Sequence, residues 1–193
     1  IVMNQRLFLG SEFSQYPAAH ARFHVIPVPY EHSVSYGGGT AAGPAAIIEA
    51  SDQLEVFDGT SSPGEDGIHT YPPIDCSGGA ATVFPQIQSV VASVLRTGSE
   101  HTPVPVILGG EHSITPPAVA ACCDVLGADG EIGLIQIDAH ADLRESYQDS
   151  RDSHACIARR IHEDLRVPVI QIGVRSLSPE EVIYRADHTS GVS

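Results

Sequence analysis

Three side chains able to bind a metal ion fall within five residues: Asp138, His140 and Asp142, in the run Asp138-Ala-His-Ala-Asp142. They directly follow the apolar stretch Ile132-Gly-Leu-Ile-Gln-Ile137, which reads as a buried strand. On an extended chain, side chains two residues apart point to the same face. Asp138 and His140 therefore reach into one small volume, and Asp142 joins them as the chain turns. Carboxylate and imidazole together suit Mn, Fe, Zn or Ni better than Ca or Mg. A second apolar stretch, Val104-Pro-Val-Ile-Leu108, ends in Gly109-Gly110-Glu111-His112 and offers another ligand at another strand end. Open α/β sheets collect their sites at the carboxyl ends of strands, where both segments would converge. The chemistry these residues suit is that of a bound metal, which makes a water acidic enough to act as a nucleophile.

Short apolar runs alternate with helix-like segments, the pattern of an α/β protein with a largely parallel sheet. Phe23–Val28 reads as the first strand. It leads through the glycine-rich turn Tyr36-Gly-Gly-Gly-Thr40 into a helix marked by Pro44, Ile47, Ile48 and Ala50. Leu54–Phe57 reads as a further strand and Gly59–Gly79, rich in Gly, Pro, Ser and Asp, as a surface loop. Phe84, Ile87, Val90, Val91, Val94 and Leu95 recur at helical spacing and are stopped by Gly98. The spacing predicts a helix over Thr115–Leu126, another over Ala155–Leu165, and a strand over Pro168–Val174. Ser178-Pro179-Glu180-Glu181 is a helix start, with a serine cap, a proline in the first turn and acids that the helix dipole favours. The glycines at 37–39 match neither phosphate-binding glycine pattern, so they read as a tight turn.

The chain has 193 residues, enough for one sizeable core, and a single domain over 1–193 is the expectation. With 24 acidic residues against 10 basic ones, all arginine, the formal charge is −14, which argues against nucleic acid or an anionic membrane as partner and permits a cationic substrate. Cys76, Cys122, Cys123 and Cys156 form neither a zinc motif nor a disulfide framework and read as reduced. No signal peptide and no run long enough to span a bilayer is evident, so a cytoplasmic protein is expected.

Gly109-Gly-Glu-His-Ser-Ile-Thr115, Asp138-Ala-His-Ala-Asp142 and Ser153-His154-Ala-Cys156 resemble, in order, the first motifs of the ureohydrolase (arginase/agmatinase) family. Tyr36–Thr40 with Gly43-Pro44, and Gln171-Ile-Gly-Val-Arg-Ser176, are similar to further segments of it. The resemblance runs from about Val25 to Glu181. It implies an α/β three-layer sandwich with a mostly parallel central sheet, holding two Mn2+ ions that share a hydroxide. That hydroxide attacks a guanidinium carbon, and urea leaves. By matching positions, His112, Asp138 and Asp142 would bind one ion, with Asp138 bridging to a second bound by His140. His154 would be the histidine that handles the proton. The Ser-His-Ala-Cys and Gly-Gly-Glu-His-Ser forms look more like agmatinases. The segment Leu143–Ser153 lacks the asparagine by which arginases recognise the amino-acid end of arginine. Agmatine, a dication giving putrescine and urea and so a step of polyamine biosynthesis, is the implied substrate. A homo-oligomer, trimer or hexamer, is the implied assembly.

One family motif has no match: the late Asp-x-Asp and the further Asp-Pro, which add carboxylates to the metal pair and strands to the sheet. The expectation is therefore an N-terminal portion of such a domain without its C-terminal strands. The alternative is a non-catalytic relative acting as an interaction or regulatory subunit. A zinc deacetylase of related fold shares the Asp-x-His segment, but the paired Asp142 and Gly-Gly-Glu-His favour the ureohydrolase.

Overall fold

The computed structural model describes residues 5–98, 102–127 and 132–193. These form two compact units, one made of the described residues up to His32 with Tyr36–Gly110, the other of Ser33–Ser35 with the described part of Glu111–Ser193. The class is α/β, and every strand pair among the described residues is parallel.

The first unit is built on β1 (Phe23–Val28), flanked by β2 (Ile68–Thr70) and β3 (Val104–Gly109) in the order β2-β1-β3. Successive residues of β1 from His24 to Val28 are all buried, so both of its faces are covered, as expected for the centre of a parallel sheet. Helix α1 (Gly43–Ser51) packs on β1 and β3, and α2 (Ala80–Leu95) packs on β3. Val83, Ile87, Val91 and Val94 form the buried stripe of α2, the last three of them from the helical repeat read in the sequence.

Two local expectations change here. Leu54–Phe57 is not a strand: Leu54, Glu55 and Phe57 are exposed, and no strand among the described residues pairs with them. The segment from 59 to 79 is more than a surface loop, since it contains a 3-10 turn at Pro63–Asp66 and all of β2. Only Ile68 and Thr70 of β2 are buried; a strand of three residues leaves too short an alternation to detect among glycines and prolines.

In the second unit, β4 (Leu134–Ile137) pairs with β5 (Val169–Ile172), Gln136 opposite Gln171. Helices α3 (Thr115–Leu126), α4 (Ile157–Asp164) and α5 (Pro179–Asp187) complete it. Ala141, Leu143, Ile157, Ala158, Ile161, Val167, Val169, Tyr184 and Val192 form its buried core. The other sheet face carries Ile135, Ile137, Ile170 and Ile172, all exposed. No helix among the described residues is long and apolar enough to cross a membrane.

Candidate metal centre

The predicted ligands lie where the chain leaves β4, and backbone bonds from several elements hold that turn. The amide of Asp138 donates to the Ile172 carbonyl at 3.0 Å, and the amides of Arg175 and Ser176 donate to the Ala139 carbonyl at 2.9 and 3.0 Å. The amide of His140 donates to Oδ1 of Asp138 at 2.8 Å, closing a local turn. Asp142 has φ of 51°, a left-handed conformation in which residues other than glycine are uncommon. That conformation aims its carbonyl at the start of α4, where the Ala158 and Arg159 amides donate to it at 3.0 and 3.3 Å. The next amide, Leu143, donates to the buried Glu181 carboxylate at 3.0 Å. Strain at a site residue is thus held by surrounding hydrogen bonds.

His112 follows Gly109-Gly110 in the 3-10 turn His112–Ile114. Glycine is required at position 110, because a Cβ there would collide with the Tyr30 carbonyl. The Nδ1 atom of His112 lies 2.9 Å from Oδ2 of Asp142 and 3.3 Å from Oδ2 of Asp138. Among the described residues, His112, Asp138 and Asp142 are the group with ligand atoms close enough to hold one metal ion, all within 4.8 Å of one another. Donors held about 2.0–2.2 Å from one divalent ion sit about 3 Å apart, so these spacings fit one. Burial opposes ionisation of Asp138. The His140 amide and the nearby His112 and His140 rings outweigh that cost, and the carboxyl sits below its ordinary range.

His140 is placed differently. Its ring is 67% exposed, with Nδ1 3.3 Å from Oδ1 of Asp138, so it flanks the trio.

His154 is held by residues the sequence reading did not single out. Its Nδ1 is 3.1 Å from Ser33 Oγ and its Nε2 is 3.0 Å from Ser35 Oγ. Tyr147 meets the ring edge-on at 5.7 Å between centroids. Ser33 also donates from both its amide and its hydroxyl to the buried Glu111 carboxylate, at 2.6 and 2.7 Å. The signal was a Ser-x-Ser pair, whose two-residue spacing suits it to bracket a ring; nothing in sequence linked it to a histidine about 120 residues away. Gln136 and Gln171 were missed as well. Gln171 Nε2 donates to Gln136 Oε1 at 2.7 Å and to the Ala141 carbonyl at 2.6 Å, and Gln136 Nε2 lies 3.5 Å from Oδ2 of Asp142. A glutamine in the middle of each of two otherwise apolar strands was the available clue.

Two other candidates have plainer roles. Arg175 donates to the Gly173 carbonyl at 3.1 Å. Cys156 is buried, and desolvation, with Asp142 adding to it, pushes its thiol up to about 11, so it behaves as a packed apolar group.

Residues 21–192 match the family described as the Arginase family. An N(1)-aminopropylagmatine ureohydrolase of Synechocystis sp. is 37% identical over 167 residues, covering 84% of this chain and 54% of that protein. An agmatinase of Pyrococcus horikoshii is 34% identical over 171 residues, covering 85% of this chain and 55% of that protein. The crystal structure of an agmatine ureohydrolase of Thermoplasma volcanium superposes with a TM-score of 0.80 at 28% identity, over 100% of this chain and 61% of that one. The chain thus spans about half the length of these curated relatives. A parallel α/β fold shared with that structure, a His-Asp-Asp trio at strand ends and a match over nearly the whole sequence agree: the chain belongs to the arginase family.

Proposed function

We propose that this chain carries the metal-binding and proton-handling part of a manganese-dependent amidinohydrolase that cleaves agmatine, with water, to putrescine and urea. The observation that carries the reading is the convergence of His112, Asp138 and Asp142 on one ion-sized space. In it, His112, Asp138 and Asp142 would hold one divalent ion, and His140 beside Asp138 would serve a second. When bound, such ions supply a water that ionises near neutral pH, the strong nucleophile that a delocalised guanidinium requires. His154 delivers a proton to the leaving amine, without which the tetrahedral carbon would not release it. The acidic chain, at −14, favours a cationic substrate. The reading includes a cytoplasmic homo-oligomer, trimer or hexamer, whose size native mass spectrometry of the full-length polypeptide measures.

One observation favours a longer substrate of the same class: the Synechocystis relative, at 37% identity, is named for N(1)-aminopropylagmatine, and the 34% relative for agmatine. Both substrates present a guanidinium on a polyamine. The test is urea release by the full-length natural polypeptide with Mn2+, comparing the two compounds at equal concentration. Release from either, lost in Asp138→Ala and His154→Ala, supports the reading, and the ratio assigns the substrate. No urea from either compound, with Mn2+ bound, would replace it with the non-catalytic alternative.

A further inference from the structure

We infer that Gln171 is a positioning residue for the turn carrying Asp138, His140 and Asp142: its amide holds the Ala141 carbonyl directly and turns the Gln136 amine toward Asp142. The consequence for Mn2+ affinity rests on the metal-dependent reading; the bracing of the turn does not.

Gln136 and Gln171 stand opposite each other in the β4–β5 pair, so their side chains share one sheet face. Each interrupts an otherwise apolar strand. Two short bonds decide how their amides are turned. Gln171 Nε2 lies 2.6 Å from the Ala141 carbonyl, which can only accept, so the atom facing it carries hydrogens. The second hydrogen of that nitrogen goes to Gln136 Oε1 at 2.7 Å, which fixes the Gln136 oxygen toward Gln171. Gln136 Nε2 is left facing the His140 carbonyl and Asp142 Oδ2, each at 3.5 Å. Reversing Gln171 would set two acceptors against each other at Ala141, and reversing Gln136 would do so at His140. Backbone carbonyls make the assignment, so it holds whatever the charge on any carboxylate.

Gln171 Oε1 is buried and has no hydrogen-bond partner among the described residues. A buried acceptor without a donor is uncommon. The amide tolerates it because both of its hydrogens are committed, one to the turn and one to Gln136. Ala141 is fully buried, and the next residue, Asp142, holds a left-handed φ of 51°. Nearby carbonyls are tied to other elements: that of Ala139 accepts from the Arg175 and Ser176 amides, and that of Asp142 from those of Ala158 and Arg159. Gln171 ties down the carbonyl one peptide before the ligand, from the neighbouring strand.

The experiment uses the full-length polypeptide, with Mn2+ affinity measured by calorimetry and the glutamine side-chain amides followed by 15N–1H NMR. Their signals are assigned by loss in Gln136→Leu and Gln171→Leu. In wild type both amides are expected to exchange slowly with solvent. In Gln171→Leu the Gln136 amide is expected to shift and exchange faster, and Mn2+ affinity to fall roughly three- to tenfold. Gln171→Met, which keeps the length of the side chain without its hydrogens, should behave as Gln171→Leu. The Gln136→Leu/Gln171→Leu pair should lose less than the product of the two single losses, because both residues act on one turn. A residue that only filled space would lower stability without that coupling. Fully multiplicative losses, or a Gln136 amide unmoved in Gln171→Leu, would overturn the inference. If wild type binds no Mn2+ yet Gln171→Leu frees the Gln136 amide, the brace stands and the metal-dependent reading falls. If wild type binds Mn2+ and releases urea, and Gln171→Leu matches it in affinity and amide signal, the reverse holds.

Discussion

At the scale of single residues, the carboxylates of the trio are not equivalent. The Asp142 side chain is 8% exposed, shares His112 Nδ1 with Asp138 and receives Gln136 from behind, whereas that of Asp138 is 21% exposed and also faces His140. Asp142→Asn keeps the shape and removes a charge from the donor set. It is expected to weaken Mn2+ binding by the full-length polypeptide by at least about tenfold in calorimetry, and Gln136→Leu, which only disturbs the support, by less. Cys156 gives a contrasting case, because it sits two residues past His154 and invites a reactive reading. Its thiol, buried and raised to about 11, is expected to label last among the four cysteines at neutral pH and to react only in denaturant. Rapid labelling of Cys156 in the native protein would contradict its burial.

At the scale of elements, α5 does two jobs at its first turn. Ser178 and Glu181 form a reciprocal capping box, with the Ser178 amide donating to Glu181 at 2.6 Å and the Glu181 amide donating to Ser178 Oγ at 3.4 Å. The other Glu181 oxygen accepts the Leu143 amide, one residue beyond Asp142. Ser178→Ala is expected to cost about 1 kcal/mol in urea unfolding, the ordinary loss of a cap. Glu181→Ala is expected to cost more, roughly 1–3 kcal/mol, since it also strands a buried amide. Only the second variant should loosen Mn2+ binding, because only Glu181 touches the turn that carries the ligands. Equal effects of the two on metal affinity would show that α5 does not brace the site.

At the scale of the whole molecule, histidines far apart in sequence gather where helices pack. His162 on α4 meets the Tyr184 hydroxyl on α5 at 2.6 Å and faces the His188 ring at 5.4 Å. Burial first, and His188 second, lower its pKa from the ordinary 6.5, while Glu163 on its own helix opposes them. The folded state thus binds fewer protons than the unfolded one just below that value, so stability is expected to fall as pH drops from about 6.5 toward the folded-state pKa. His162→Gln should give a shallower acid-side loss in chemical unfolding. It should not abolish the loss, because burial lowers His24 in the first unit in the same direction. A different whole-molecule property is the face of Ile135, Ile137, Ile170 and Ile172, which the described residues leave exposed. A 193-residue polypeptide with this face open is expected to bind a hydrophobic dye, and the pair Ile137→Thr and Ile172→Thr to reduce that binding without altering α-helical circular dichroism.

The sequence by itself determined the parallel α/β class and the bounds of Phe23–Val28 and Thr115–Leu126, and it singled out His112, Asp138 and Asp142, whose ligand atoms the fold brings within 4.8 Å of one another. Those features are written in local periods: apolar runs for buried strands, the helical repeat, and ligand types bunched at a strand end. It missed β2, which is too short to show a period, and placed a strand at Leu54–Phe57, with which no strand among the described residues pairs. Pairing is a long-range property, and a suitable run without a neighbour stays coil. Tertiary structure alone decided the left-handed backbone at Asp142, which no local pattern specifies, and brought that side chain to 2.9 Å from His112. It also brought Ser33, Glu111 and His154 together. A hydroxyl's role depends on which donors and acceptors surround it, and the fold alone brings those three into hydrogen-bond reach.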